Sequence, residues 1–331
     1  MNPGTTAVRL LILAGFLVVA LLLSVRVGAV AFSAREVLDA LRGIGDPSAV
    51  TIVQGLRLPR ALQAAMVGAA LAASGATFQA LLRNPLAEPY ILGVSGGAAV
   101  GAVVAVVFGW AAVAPWALPA AAFAGALFAI VLVLRIAASV GRAMDTRVLL
   151  LAGVVVGSFF SACILLVLTF ADVESFRSAI FWMMGSFSGA SWRGSGILAL
   201  YLVPALLVLL ALSRSLNLLS VGEETAAHLG TSVERTKIVA YGTASLLAAA
   251  AVAMSGVIGF VGLIVPHMIR LLWGGNYRFL IPASALLGAA FLTLADTLAR
   301  IAAAPTELPV GVVTAFVGVP FFVWLLRRSA A

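Results

Sequence analysis

Apolar stretches close to the length needed to cross a lipid bilayer recur along this 331-residue chain. A membrane-spanning helix needs about 20 predominantly apolar residues. Ten stretches approach or exceed that length: 10–23, 61–82, 91–108, 116–134, 148–170, 197–212, 238–254, 257–272, 279–298 and 310–326. With 63% apolar and only 10% charged residues, the composition is also far from that of a soluble domain. The sequence predicts an all-α polytopic membrane protein with about ten transmembrane helices, forming a single domain over residues 1–331.

The first stretch imitates a secretory signal peptide, because Arg9 precedes it and small residues at 29–31 follow it. Since nine further spans follow, we expect an uncleaved first transmembrane helix. The single cysteine, Cys163, lies inside the stretch 148–170, where we expect a buried side chain without a disulfide or a metal.

The net charge of +8 is best explained by membrane topology rather than by a nucleic-acid partner. If both termini lie on one side, that side holds twelve of the 20 Lys and Arg residues, Arg142 among them, and the other side holds eight. The positive-inside rule then predicts cytoplasmic termini. We expect a multi-pass protein of the bacterial inner, or cytoplasmic, membrane.

The segment 57–101 joins two spans through a polar break. Pro85 and Pro89 end the first helix, since proline lacks an amide proton and restricts the residue before it. Gly93, Gly97 and Gly101 then recur every four residues, which leaves one face of the second helix almost without side chains. Such a stripe is typical of closely packed membrane helices.

Three motifs in this segment, LRLPR, RNPLAEP and LGVSGGAAVG, resemble the FecCD family of ABC importer permeases, which carry vitamin B12, haem and ferric siderophores. The resemblance extends over nearly the whole chain after the first span. It implies a type II ABC importer permease fold with inverted-repeat character and a homodimer. It also implies two cytoplasmic ATPase subunits and a periplasmic or lipid-anchored substrate-binding protein as partners.

The resemblance further implies inward transport of an iron chelate, a ferric siderophore or haem, by ATP-driven alternating access, with cobalamin as the alternative cargo. The chain lacks the GxxxxGK[ST] phosphate-binding motif. We therefore expect a transport subunit rather than an enzyme. It would bind no cofactor or metal of its own, and ATP and Mg²⁺ would bind to the partner ATPase.

The longest polar stretch between spans is 213–237, which reads as two short helices separated by Gly222, the second one capped by Gly230. In the resembled family the matching loop docks on the ATPase. The residues implied for coupling are Glu223, Glu224, Ala226, Ala227, His228, Leu229 and Gly230. A solvated connector with ordinary helix caps is the alternative.

Three arginines near the predicted outer ends of spans, Arg57, Arg60 and Arg300, match family positions that meet acidic residues of the substrate-binding protein. Structural alternatives exist. Asp296 lies four residues before Arg300, a spacing that permits an ion pair on one helix face, and arginines at span ends also extend into lipid headgroups.

The translocation path is implied by the resemblance to follow the fifth and tenth spans, 148–170 and 310–326, and a short helix in 175–189. The candidate lining residues are Ser158, Ser161, Thr169, Trp182, Met183, Met184, Ser186, Phe187 and Thr314. Asp145 and Thr146 match the family's inner gate loosely, and Asp145 is also a candidate helix N-cap. Packed or lipid-facing side chains are the alternative for each position.

The segment 33–43 is predicted to be a short helix on the outer membrane surface. Ser33 and Glu36 have capping-box spacing, and Val37, Leu38 and Leu41 share one predicted apolar face.

A weak repeat at an offset of 181 residues pairs Leu82 with Leu263 and Pro85 with Pro266, in spans that start on opposite sides of the membrane. It predicts an inverted repeat.

Two other classes of protein are remote alternatives. Gly93 to Gly96 fits the Gly-x-Ser-Gly pattern of a serine protease, with Ser95 as nucleophile and His267 as base. An ion-coupled secondary transporter needs intramembrane carboxylates, for which Asp296 is the one plausible candidate. We expect His267 to be structural rather than a metal ligand.

Overall fold

The computed structural model describes residues 3–28, 30, 32–140 and 145–330, and every regular element in these ranges is helical. Ala29, Ala31 and Arg142 lie outside the described residues. The α-helices of the first half are α1 (Pro3–Arg26), α2 (Ala34–Leu41), α3 (Pro47–Val50), α4 (Leu58–Leu81), α5 (Val94–Val107), α6 (Trp110–Val113), α7 (Ala117–Ser139) and α8 (Thr146–Leu168). Those of the second half are α9 (Val173–Met183), α10 (Trp192–Ala211), α11 (Ser213–Val221), α12 (Glu223–His228), α13 (Val233–Ser255), α14 (Val261–Trp273), α15 (Tyr277–Ile301) and α16 (Val310–Ala330). A π-helix, Thr51–Arg57, joins α3 to α4, and a 3₁₀ helix, Pro89–Leu92, precedes α5.

Seven helical stretches among the described residues are long and apolar enough to cross a membrane. They are α1, the continuous stretch Pro47–Leu81 that ends with α4, and α7, α8, α10, α13 and α15. The three shorter apolar helices are α5, α14 and α16. Together they match the ten predicted stretches, which confirms the prediction of an all-α polytopic membrane protein.

Helix α4 is the centre of the bundle, since 20 of its 24 residues are buried. A Cβ added to Gly68 would lie 2.1 Å from the Gly288 carbonyl oxygen of α15, and one added to Gly75 would lie 1.9 Å from the Gly262 oxygen of α14. Glycine at these crossings therefore lets three backbones meet.

The glycine stripe of α5 packs as predicted. A Cβ on Gly97 would lie 2.3 Å from the Gly125 oxygen, and one on Gly101 would lie 2.0 Å from the Ala121 oxygen, both in α7. The stripe is therefore the contact surface between α5 and α7.

Two sets of four helices share an order in which a short second helix lies between longer ones: α4, α5, α7, α8 and then α13, α14, α15, α16, although α16 is shorter than α8 in its apolar part. Side-chain bonds run antiparallel between α4 and α13, since Gln63 Nε2 donates to the Met254 oxygen (3.0 Å) and Ser74 Oγ donates to the Ala244 oxygen (2.9 Å). This agrees with an inverted repeat. The pairing at an offset of 181 residues is wrong, however. Leu82 ends α4 whereas Leu263 lies within α14, so that match reflects the abundance of Leu and Gly.

Irregular backbone inside the bundle is held by the RNPLAEP motif and by Tyr90, which follows it. Tyr90 Oη donates to the Ile258 oxygen (2.6 Å) and accepts from the Ile258 amide (3.0 Å), while Glu88 Oε1 accepts from the Phe260 amide (2.7 Å). These bonds satisfy main-chain groups between α13 and α14 where lipid offers no partner. Sequence reasoning missed this role of Glu88 and Tyr90.

The capping box of α2 is present as predicted, with the Glu36 amide donating to Ser33 Oγ (3.2 Å) and the Ser33 amide donating to Glu36 Oε2 (2.7 Å). Val37 and Ala40 are buried against the bundle, whereas Leu38 and Leu41 are exposed. That the exposed leucines contact the outer membrane surface stays a prediction.

Candidate functional site

The three predicted docking arginines lie together where α1, α4 and α15 meet. Arg57 is buried, and its Nη1 donates to the oxygens of Val25 (3.0 Å) and Arg26 (2.9 Å), while Nη2 donates to the Val30 oxygen. The guanidinium also lies over the Phe32 ring at 4.9 Å. Carbonyls of the last helical turn lack partners within the helix, so Arg57 caps α1.

Arg300 caps the same helix end from α15. Its Nη2 donates to the oxygen (3.0 Å) and hydroxyl (2.9 Å) of Ser24, and its Nη1 donates to the Val27 oxygen (3.2 Å). The predicted ion pair with Asp296 is confirmed, with Nε 3.3 Å from Oδ2. Because both side chains are buried and bound to α1, the expectation that Arg57 and Arg300 present free charge to a partner is not met.

Arg60 is the most accessible of the three, with 13% of its side chain exposed. Its Nη2 lies 2.9 Å from Asp296 Oδ1 and 2.9 Å from Glu307 Oε2. The Asp296 side chain is fully buried, whereas that of Glu307 is 43% exposed. Sequence reasoning missed Glu307, because the pair spans 247 residues and no local spacing connects the two.

The predicted coupling loop forms two short helices, α11 and α12, as expected. Leu216 and Leu219 of α11 are buried in the core. Asn217 Oδ1 accepts from the Tyr277 amide (2.9 Å), and its Nδ2 donates to Asn276 Oδ1 (3.2 Å). These contacts attach the loop to the first turn of α15.

Helix α12 has some residues that attach it to the rest of the chain and others that are exposed. Ala226 is buried, and Glu223 Oε1 accepts from Lys237 Nζ at 2.6 Å. Gly230 has φ +80° and the Thr231 amide donates to the Ala226 oxygen (2.9 Å), which confirms the predicted glycine cap. The exposed residues among those predicted for coupling, named here the α12 ridge, are Glu224, Ala227, His228, Leu229 and Gly230.

The predicted path residues fall into three groups, which are exposed, half-buried and fully buried. Ser158, Ser161 and Thr169 are exposed on α8, and each hydroxyl donates to a carbonyl of the preceding turn. Trp182, Met183, Met184 and Ser186 are half-buried.

Two predicted path residues are wrong. Phe187, at 1% exposure, packs in the core, and Thr314, at 0%, faces the bundle and donates to the Gly311 oxygen (3.0 Å). Neither side chain reaches a surface that could line a passage.

A backbone junction fixes the position of the segment after α9. The Ser186 amide donates to the Ser255 oxygen (2.8 Å), the Val310 amide to the Gly185 oxygen (3.0 Å) and the Gly311 amide to the Met184 oxygen (3.0 Å). The end of α9, the end of α13 and the start of α16 therefore meet as one unit.

At the other end of α8, Asp145 is a helix N-cap, with Oδ1 accepting from the Arg147 amide (2.8 Å). Thr146 Oγ1 donates to the Leu81 oxygen (3.4 Å), which links α8 to the end of α4. The structural alternative for Asp145 is thus confirmed.

The chemistry of a hydrolase is not assembled around His267. Both of its ring nitrogens are buried without a hydrogen-bond partner among the described residues, so Ser95 does not bond to it. Within the described ranges, no group of three His, Cys, Asp or Glu residues is placed to hold a metal ion.

The bundle of long apolar helices defines a multi-pass membrane protein. A sequence model of the FecCD transport family matches residues 16–328. The chain belongs to the FecCD family of ABC importer permeases, which confirms the resemblance.

Relatives and solved structures agree with this assignment. The vitamin B12 import system permease BtuC of Escherichia coli O139:H28 is 44% identical over 284 residues, covering 86% of each chain. An ABC transporter permease protein of Methanocaldococcus jannaschii is 40% identical over 312 residues, covering 91% of this chain and 89% of its own. A solved inward-facing structure assigned to the metal-chelate type of ABC transporter has a TM-score of 0.85 at 33% identity, covering 96% of this chain and 98% of its own.

Proposed function

We propose that this permease imports a metal chelate, with an iron chelate, either a ferric siderophore or haem, as the first candidate. The observation that carries the proposal is the match of nearly the full chain to a transporter structure of the metal-chelate type. Cobalamin, itself a cobalt chelate, is the second candidate, because the 44% identical BtuC is a vitamin B12 permease.

The exposed face of α8 supports a large cargo with few charges. Its exposed side chains include Val154, Ser158, Phe159, Ser161 and Leu165, and the serine hydroxyls are already bonded to their own helix. Beyond Arg147 in the first turn of α8, this surface offers no charged or multidentate site for a bare ion, and it suits the passage of a bulky chelate. A second copy of the chain would supply the facing wall.

At one end of the bundle, we assign substrate-binding-protein docking to the surface around Arg60. Arg57 and Arg300 hold this surface in place by capping α1, and Glu307 screens the Arg60 charge. An acidic residue of the binding protein would take over the role of Glu307. Salt should weaken such an encounter.

At the other end, we assign ATPase docking to the α12 ridge. ATP would bind to two separate ATPase chains on the cytoplasmic side, where both termini also lie. Because α11 is attached to α15 through Asn217, a displacement of the ridge would move the bundle rather than the loop alone. This is the mechanical requirement of alternating access.

Cargo is tested by competition of haem, cobalamin, a panel of ferric siderophores and bare metal ions for the substrate-binding protein that partners this permease. One tight iron chelate is the expected result. Tight binding of cobalamin alone would replace the first candidate by the second, and binding of a bare ion would overturn the chelate proposal.

Coupling is tested with Leu229→Asp on the ridge. The matched control is Val140→Asp, which also replaces an exposed apolar residue but lies at the end of α7. We expect Leu229→Asp to reduce ATPase co-purification about tenfold or more, since burying an unpaired charge at an interface is costly, and the control to bind normally. Equal binding by both variants would refute the coupling assignment.

A further inference from the structure

A cavity of about 470 Å³ lies between α7 and α10, apart from α8, α9 and α16. Ala250, Ala253 and Met254 of α13 form its floor. The rings of Phe123 and Tyr201, 5.3 Å apart, pack against each other across the two walls. Its volume is that of an ordinary small-molecule site, which ranges over roughly 300–1,000 Å³.

The cavity opens on a surface that is apolar and exposed. Ala120 and Ile197 line it and are exposed, and Leu200, Val203 and Leu207 continue the exposed apolar surface along α10. In a membrane protein this surface faces lipid. The molecules that can reach the cavity are therefore above all lipids of the surrounding bilayer.

The cavity wall combines apolar and polar side chains. Alanine and aromatic residues form much of it, and Gln63, Ser191 and Arg193 are polar. Gln63 is buried, whereas Ser191 and Arg193 are exposed at the mouth of the cavity. Trp116, exposed at the same mouth, is of the residue type that membrane proteins place at the lipid headgroup level.

Arg193 carries an unneutralised positive charge at this mouth. It is the second residue of α10, whose amino terminus is the positive end of the helix dipole, so the position is electrostatically unfavourable for a cation. Among the described residues no carboxylate lines the cavity, and none pairs with Arg193. An anion bound here would relieve both charges.

We propose that this cavity is a lipid site, which holds one acyl chain of a glycerophospholipid while Arg193 binds its phosphate. The bilayer is already as apolar as the cavity wall, so transfer of the acyl chain from the bilayer does not by itself favour binding. The favourable binding free energy comes from van der Waals contacts that fill the empty cavity and from the phosphate contact. The bound lipid would act as a wedge between α7 and α10, both of which pack on α13.

The test is native mass spectrometry of the full-length permease, delipidated in detergent and titrated with phosphatidylglycerol. One lipid per protomer is the expected stoichiometry. Ala120→Phe should abolish this binding by obstructing the mouth, and Arg193→Gln should weaken it about tenfold by removing a charge-assisted contact.

Two matched controls separate the site from general effects. Ala124→Phe adds the same ring to an exposed position one turn further along α7 that does not line the cavity, and Arg42→Gln removes an exposed arginine from a segment apart from it. Both should bind lipid as the unmodified chain does.

Unchanged lipid binding by Ala120→Phe would overturn the proposal. Loss with Ala120→Phe but not with Arg193→Gln would overturn the phosphate contact. If inorganic phosphate competed as well as the lipid did, the assignment of the cavity to an acyl chain would be refuted, and the site would be one for a free anion.

Discussion

The structure predicts that the buried carboxylate of Asp296 stabilises the fold. It accepts from Arg60 at three N–O distances of 2.9, 3.0 and 3.2 Å and lies 3.3 Å from the Nε of Arg300. Replacement by asparagine keeps the shape but leaves two guanidinium groups without this countercharge. Breaking a buried ion pair costs about 3–5 kcal/mol.

The expected loss for Asp296→Asn lies at the lower end of that range, about 3 kcal/mol, because both arginines keep other partners. Arg60 keeps Glu307, and Arg300 keeps the carbonyls of α1. Glu307→Gln is the control. Its pair with Arg60 is partly exposed, and such pairs contribute about 0–1 kcal/mol.

The assay is equilibrium unfolding of the purified permease in mixed micelles, with Asp296→Asn, Arg60→Met and the double variant forming a cycle. A coupling energy of about 2 kcal/mol between the two sites is expected for contacting residues. If Asp296→Asn cost no more than Glu307→Gln, the arginine cluster would not stabilise this end of the bundle.

Two further perturbations follow from the contacts. Gly68→Ala should lower the unfolding free energy by about 3 kcal/mol, since its new methyl group meets a backbone oxygen that cannot rotate away. Gly15→Ala is the control, because a Cβ added at Gly15 has no neighbouring atom within 4 Å and should not change the unfolding free energy. Equal effects of the two substitutions would refute the close helix crossing. The Ser33 amide bond lowers the pKa of Glu36, so the carboxylate half of the α2 capping box should be intact above the ordinary glutamate pKa and weaken as the pH falls through the lowered value, while the Ser33 hydroxyl bond does not titrate. Protection factors for amide hydrogen exchange across 34–41, which correct for the slower intrinsic exchange in acid, should therefore fall at acid pH in the unmodified chain but not in Glu36→Gln, and identical profiles would contradict this cause.

Local and compositional features of the fold were predictable from the sequence. Span length, the Gly97 and Gly101 stripe and the capping box at Ser33 each depend on residues within a few turns of one another. The ion pair of Asp296 with Arg300 belongs to the same group, since four residues separate them on one helix.

Long-range contacts could not be predicted in the same way. Arg60 and Asp296 lie 236 residues apart, and nothing in their neighbourhoods indicates that α4 and α15 run side by side. Phe187 and Thr314 were misplaced for another reason. Thr314 lies in a helix that is apolar all round, and there the sequence does not show which face meets the core. Phe187 lies in the irregular segment after α9, where no helical period indicates which side chains are buried.

The most direct test of the central account is uptake into proteoliposomes that contain this permease, its ATPase and its substrate-binding protein. We predict accumulation of a metal chelate that requires internal hydrolysable ATP and persists after an uncoupler collapses ion gradients. Accumulation that proceeds without the ATPase and stops with the uncoupler would contradict the account.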